Sequence, residues 1–445
     1  MLACPRPVAA AARLGGRRGR VLLHSARDDD GLGTWSFAAA EPVATLIARG
    51  RSLVRLDASG RPIRRYSGDP LVEAEVFLAE HGCTREPRSS QPPVPRVIGY
   101  IAYDLARTIE RLPGGSAIGR DTPDLWLAAY GAVARWHGAD DVEIVGPDPG
   151  ARASLAEVLA RPPAATLPPG FSALRADDDP AHHLARVGRI LDYLAAGDVY
   201  QVNLARRLVA RIHTPGDALA LYEALAAVAP APYGALIEAD GVSLISGSPE
   251  RFLASCGDRI ETRPIKGTHA HSASALAASE KDAAEHLMIV DLERNDLGRI
   301  AEPGSVCVDE LGYVIELPAL FHKVSRVSAR PQPATGYAAL LRATFPGGSI
   351  TGAPKIRAMQ LIDELEPVRP GPYCGALGYF GAHGAFDLAI AIRIGVIVGN
   401  ELRVHVGGGI VADSDAAAEL AETETKLAGW SAALESIAAL RAAPR

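Results

Sequence analysis

Lysine is almost missing from this chain: only Lys266, Lys281, Lys323, Lys355 and Lys426 occur, against many arginines. Where a lysine is kept, arginine has not sufficed, and an amine that can lose its proton and attack is one reason. Cysteine is sparse too. Five residues, at 4, 83, 256, 307 and 374, stand singly with no C-x-x-C pair. That argues against a disulfide scaffold and for a reducing compartment. Long apolar runs are absent. The longest, Leu388 to Val398, is interrupted by Arg393 and is too short to span a bilayer. Residues 1–20 contain no sustained apolar stretch of the signal-peptide kind. No basic stripe alternates with aromatics, and the net charge is −6, which disfavours nucleic acid as a partner. Neither the phosphate-binding P-loop nor the dinucleotide fingerprint occurs. These absences predict a soluble, cytoplasmic protein with no membrane or nucleic-acid partner.

The 445 residues suffice for two or three domains or one oversized one. Proline-rich stretches at 84–96, 161–170 and 330–335 read as linkers or long loops. Residues 1–160 form an N-terminal region of short strands and turns, and an orderly region with the motifs covers 178–440. Leu184, Val187, Ile190, Leu191 and Leu194 recur at helical spacing, and Gly197 stops that helix. A strand follows, with Tyr200, Val202, Leu204, Leu208 and Ile212 on one face and Gln201 and Asn203 on the other. Further strands are expected within 242–263 and along 388–398, and helices over 280–293, from near 353, and over 415–441. Strands and helices mix without strict βαβ alternation. The expected class is therefore α+β, layered, with mainly antiparallel sheets and flanking helices.

Four constellations could carry chemistry. On the 388–398 strand, Arg393 shares a face with Ala389, Ala391 and Gly395. A guanidinium among small residues reads either as a bidentate carboxylate site at a pocket floor or as a buried pair with an acid such as Asp387. Asp282 and Glu285, and Glu419 and Glu422 with Lys426 beyond them, share helix faces. They read as Mg²⁺ ligands or as solvated faces with an ordinary i,i+4 pair. Glu250 and Lys266 fall on turns punctuated by Pro and Gly, where side chains are exposed. They read as an acid/base with its amine nucleophile or as a turn lysine in water. The glycine-rich turns at 346–352 and 407–409 could present N–H groups to an anion or be tight turns only.

Together the ordered blocks resemble the chorismate-utilising enzymes. They include Gly197-Asp-Val-Tyr-Gln-Val-Asn-Leu204, Ser248-Pro-Glu-Arg-Phe252, Pro264-Ile-Lys-Gly-Thr268 and Glu285 through Asp296. His322-Lys-Val-Ser325, Pro346 through Lys355, Tyr373 through Tyr379, Arg393, Gly407–Gly409 and Glu422-Thr-Glu-Thr-Lys426 complete the set. The resemblance implies an α/β/β/α chorismate-binding fold. It implies Mg²⁺ held by Glu285 and Glu422, with Asp282 and Glu419 beside them. Gly267, Thr268, His322, Ser349, Tyr373, Arg393, Gly407, Gly408, Gly409 and Lys426 would contact chorismate.

Two positions sort the branches. Water-adding members usually carry a lysine base where this chain has Gln201, and anthranilate synthases usually carry Ala where it has Lys266. The resemblance therefore points to the aminodeoxychorismate branch, which feeds 4-aminobenzoate and folate. There, such a lysine is thought to attack C2 of chorismate while the residue matching Glu250 protonates the leaving hydroxyl. No cysteine sits in the Gly-x-Cys-x-Gly setting of the usual glutaminase. Ammonia is thus expected from a glutamine amidotransferase subunit, and pyruvate release from a separate enzyme. Val21 through Ser25 and Thr34 through Phe37 resemble a tryptophan-binding segment, which nominates Ser25, Thr34, Trp35 and Ser36, with His24 where an acid is common. The alternatives are anthranilate synthase component I and a non-catalytic homologue that only docks a glutaminase.

Overall fold

The strand Gln201–Thr214 organises the fold because its partner on one side, Glu401–Ile410, lets the two backbones approach closely. They pair antiparallel from Val202 opposite Ile410 to Arg211 opposite Glu401. In this computed structural model the described residues are 5–442, apart from 29, 86–89, 115–118, 120, 139–141, 164–166, 270–271, 279 and 318–319. The side chains of 268, 269, 275, 277, 280–282, 317 and 320 also lie outside the description. Among the described residues the strands form two twelve-stranded sheets, and the pairings are antiparallel, as expected.

Each sheet draws strands from both ends of the chain. Val21–His24, Trp35–Ala39 and Val133–His137 join the sheet of Gln201–Thr214. Ala44–Arg49, Pro95–Ile101 and Leu125–Ala129 join the sheet that holds Ala376–Gly381 and Phe386–Ile390. Apolar side chains fill the space between: Phe37 of one sheet meets Tyr379 of the other with ring centroids 4.9 Å apart. Trp126 Nε1 donates across to Asp240 at 2.9 Å. On the outer face of the first sheet, Trp430 of the helix Ala416–Ala442 packs with Leu219 and Leu225. The sheet admits it at Gly395, where a Cβ would lie 2.5 Å from the indole. The helices Pro70–Glu80 and Tyr337–Thr344 pack on each other beside the second sheet. The layers run helix, sheet, sheet, helix.

The helix expected from Leu184, Val187 and Ile190 spans Pro180–Ala195, with Asp179 capping its first turn through Ala181 N–H at 2.8 Å. Those expected at 280–293 and 415–441 run Glu280–Gly298 and Ala416–Ala442, and the one near 353 runs Lys355–Leu365.

Three local expectations are corrected. The 388–398 segment is two strands in different sheets. Phe386–Ile390 pairs in the second and Ile394–Val398 in the first, because Arg393 adopts φ +49° and the chain crosses between layers there. Gly407–Gly409 is no turn but lies within the Glu401–Ile410 strand. Glycine is needed for space: a Cβ on Gly407 would stand 2.5 Å from Leu204 O, and one on Gly409 2.4 Å from Gln201 Nε2. Tyr200 is exposed while Gln201, Val202 and Leu204 are all buried. The strand is covered on both faces, so alternation fails. Because the Gly407 contact is with backbone, Gly407→Ala should lower stability by about 1–3 kcal/mol. Urea unfolding reads this as a lower midpoint at unchanged slope.

Candidate active site

The helix Glu280–Gly298 lies against the strand Leu320–Ala329, and one of its turns carries both a structural anchor and an acid. His286 Nε2 meets Ser325 Oγ at 2.5 Å, and Ser325 Oγ also accepts Gly312 N–H. Burial, then Lys323 and Lys266, hold His286 down at about 4, so it is neutral at pH 7. This fixes the helix rotation. The preceding residue, Glu285, then faces Lys266 Nζ at 3.5 Å. Lys266 sits on the strand Ile265–His269 beside Gly267, whose φ of +85° bends the strand.

Glu250 and Lys266 do not sit in water. Glu250 is only 5% exposed, and the Lys266 side chain only 14%, which corrects the expectation of exposed turn residues. Glu250 accepts the Ser349 hydroxyl at 2.6 Å, while its backbone C=O takes Ile390 N–H. Burial pushes the Glu250 carboxyl above the usual range, opposed by Ser349, Lys266, the Ile265 N–H and Arg393. A carboxyl so placed keeps its proton to higher pH, as a general acid requires.

Arg393 reaches solvent from the cleft, yet it is deep enough for burial to lower its pKa. The alternative pairing with Asp387 is not realised, because Arg251 holds Asp387 Oδ2 at 2.9 Å. Among the described residues no carboxylate pairs with Arg393. A charge left so within a cleft suits an anionic ligand. His322 lies nearby. Burial, then Arg393 and Arg27, lower it to about 4, so it stands as a neutral imidazole. Arg27 is a site neighbour that sequence reasoning missed; it lies in the segment after Val21–His24, and no motif marked it.

On the helix Ala416–Ala442, Glu419, Glu422 and Lys426 converge above Gly408. A Cβ there would lie 3.2 Å from Glu419 Oε2, 3.6 Å from Lys426 Nζ and 3.9 Å from Glu422 Oε1. Lys426 pairs with Glu422 at 2.7 Å and donates to Gly407 O at 2.8 Å. The ordinary i,i+4 pair therefore exists, and the same lysine is tied to the glycine strand. Glu419 Oε1 accepts Ser414 Oγ at 2.6 Å. Among the described residues, no three His, Cys, Asp or Glu side chains converge as a ready cage. The donor set nevertheless fits Mg²⁺, which takes one or two carboxylates and leaves positions for substrate oxygens. Glu285 and Glu422 are such hard donors, each facing an ammonium here. The side chains of Asp282 and Thr268 lie outside the described residues.

Tyr373 is buried and stacks on His405, centroids 5.4 Å apart at 15°. Both ring nitrogens of His405 are buried without a partner among the described residues, and burial, then Arg207 and Arg403, hold it at about 3. Asn203 Nδ2 approaches Cys374 Sγ at 3.9 Å. Gln201 is wholly buried, with both amide atoms unpartnered. A separate cavity of about 180 Å³ is lined by His24, Thr34 and Trp35, with Arg251, Arg263, Glu261 and Asp387 among its walls. Ser36 does not line it but accepts Ser25 N–H at 3.0 Å. His24, held at about 4 by burial and bonded to Tyr222, offers that cavity no charge at pH 7.

The comparisons agree with this geometry. The family model for chorismate binding enzymes matches residues 22–431. Aminodeoxychorismate synthase component 1 of Klebsiella aerogenes is 40% identical, covering 92% of each chain. Anthranilate synthase component 1 of Streptomyces coelicolor is 35% identical over 94% of this chain and 84% of its own. The crystal structure of anthranilate synthase component I from Streptococcus pneumoniae superposes with a TM-score of 0.77 at 30% identity. It covers 89% of this chain and 92% of its own. No helix among the described residues is long and apolar enough to cross a membrane. With its matched motifs gathered around one cleft between the two sheets, the chain belongs to the chorismate binding enzyme family.

Proposed function

We propose that this chain aminates chorismate to 4-amino-4-deoxychorismate, the reaction named by its aminodeoxychorismate synthase relatives. The observation that carries the reading is Lys266. It is held inside the cleft against Glu285, within electrostatic reach of the buried acid Glu250. An amine in that place can act as a nucleophile. Lys266 Nζ attacks C2 of chorismate, the ring double bond shifts, and the C4 hydroxyl departs as water with the proton of Glu250. Ammonia then adds at C4 and the lysine nitrogen leaves C2. The net exchange is ammonia for water, and the enolpyruvyl group is retained.

Arg393, Tyr373 and the N–H groups of the 407–409 strand orient the substrate, and His322, neutral, lines the ring. Glu285 and Glu422, with Glu419 and Asp282 beside them, would hold Mg²⁺, which supplies positive charge for a substrate carboxylate. Ammonia would come from a glutamine amidotransferase subunit in the cytoplasm. Among the described cysteines, 83, 256, 307 and 374 are free thiols in no nucleophile motif.

With chorismate, Mg²⁺ and ammonium, the chain should form a non-fluorescent product, and chelation of the metal should abolish it. Anthranilate fluorescence would favour anthranilate synthesis, the second reading that the Streptomyces coelicolor relative keeps in view.

A further inference from the structure

A second buried carboxyl stands behind the acid. Glu293 lies about two turns beyond Glu285 on the helix Glu280–Gly298 and is 2% exposed. Its Oε1 accepts Gly348 N–H at 2.9 Å, and its Oε2 has no partner among the described residues. Gly348 precedes Ser349, the residue that donates to Glu250. Two buried carboxyls thus grip consecutive residues of one turn. The fit is close: a Cβ on Gly348 would lie 2.7 Å from Leu292 Cδ2 and 3.0 Å from Glu293 Oε1.

The other charged groups are accounted for. Asp296, on the same helix, is taken by Lys355, whose Nζ also donates to Thr344 O and Pro346 O at 3.0 and 2.7 Å. Lys266 and Arg393 face Glu250. Burial first, then Asp296 and the Glu250 charge, raise Glu293 to about 7, against Lys355 and the Gly348 N–H. Two carboxyls so close titrate as a pair, and the second resists ionisation once the first is charged.

We propose that Glu293 is a positioning residue for the general acid, a carboxyl kept neutral so that Glu250 can carry negative charge after giving up its proton. This rests on the assignment of Glu250 as general acid. Ionisation of Glu293 at higher pH places a second charge beside Glu250, making it a weaker proton donor and slowing amination.

The test compares parent and Glu293→Gln, a permanently neutral mimic, from about pH 6 to about pH 8, on either side of the Glu293 midpoint. The variant-to-parent ratio of kcat cancels the titration of ammonia itself. It should rise with pH by up to about tenfold, the limit for one pH unit of coupling. A merely structural role lowers kcat equally at every pH, and a flat ratio overturns the proposal.

Difference infrared titration of the free chain reads the pair without turnover. A buried carboxylic acid should titrate near the Glu293 midpoint, vanish in Glu293→Gln, and move to lower pH in Glu250→Gln, where Glu293 itself is intact. A midpoint unmoved in Glu250→Gln also overturns the proposal. Failure of the parent to aminate chorismate, with the infrared coupling present, would instead sink the reading of the reaction.

Discussion

Glu250→Gln should slow chorismate amination by about 10²–10⁴-fold, the usual contribution of a positioned general acid. Glutamine keeps the size of the side chain and can still accept the Ser349 hydroxyl, so the turn at 348–350 and the fold should persist. What is lost is the proton for the leaving hydroxyl. In the parent, the carboxyl sits above its ordinary range because burial outweighs Ser349, Lys266, the Ile265 N–H and Arg393. The protonated form is the active one, so the parent rate should be sustained at low pH and fall as pH rises through that raised value. A variant with nearly parental kcat would remove Glu250 from the reaction.

Arg393→Ala should cost chorismate recognition more than stability. Truncating one partner of a buried charge pair typically costs 2–5 kcal/mol, which is roughly 30- to several-thousand-fold in kcat/KM. No protein carboxylate is orphaned by the change, since Asp387 remains with Arg251. Thermal unfolding should therefore shift little while kcat/KM for chorismate collapses. Arg393→Lys should not restore it, because an ammonium lacks the two-pronged fork that matches a carboxylate. Saturation kinetics with folded variants decide the matter, and parental kcat/KM in Arg393→Ala would contradict the assignment.

What the chain disclosed before its fold was known depends on the range of the interactions. The helix Pro180–Ala195 was legible because its cap, its apolar spacing and its stopping glycine are all local. The break at Arg393 was not, since nothing nearby in the sequence announces a left-handed arginine where the chain changes sheets. Gly407–Gly409 misled because glycine favours turns, whereas here it is demanded by Leu204 and Gln201 of the neighbouring strand. The burial of Glu250 depends on Ser349, 99 residues away, and that of Glu293 on Gly348, 55 residues away. Periodicity cannot report partners at such separations. The spacing of Glu419, Glu422 and Lys426 did place them on one helix face, but only the fold shows that Gly408 lies beneath it.

The central claim is amination through Lys266, and mass-resolved product analysis tests it most directly. Parent and Lys266→Ala are each incubated briefly with chorismate, Mg²⁺ and ammonium. The parent should yield a product with hydroxyl replaced by amine and the enolpyruvyl group kept, and Lys266→Ala should yield none. Anthranilate with pyruvate from the parent, or undiminished aminodeoxychorismate from Lys266→Ala, would contradict the account.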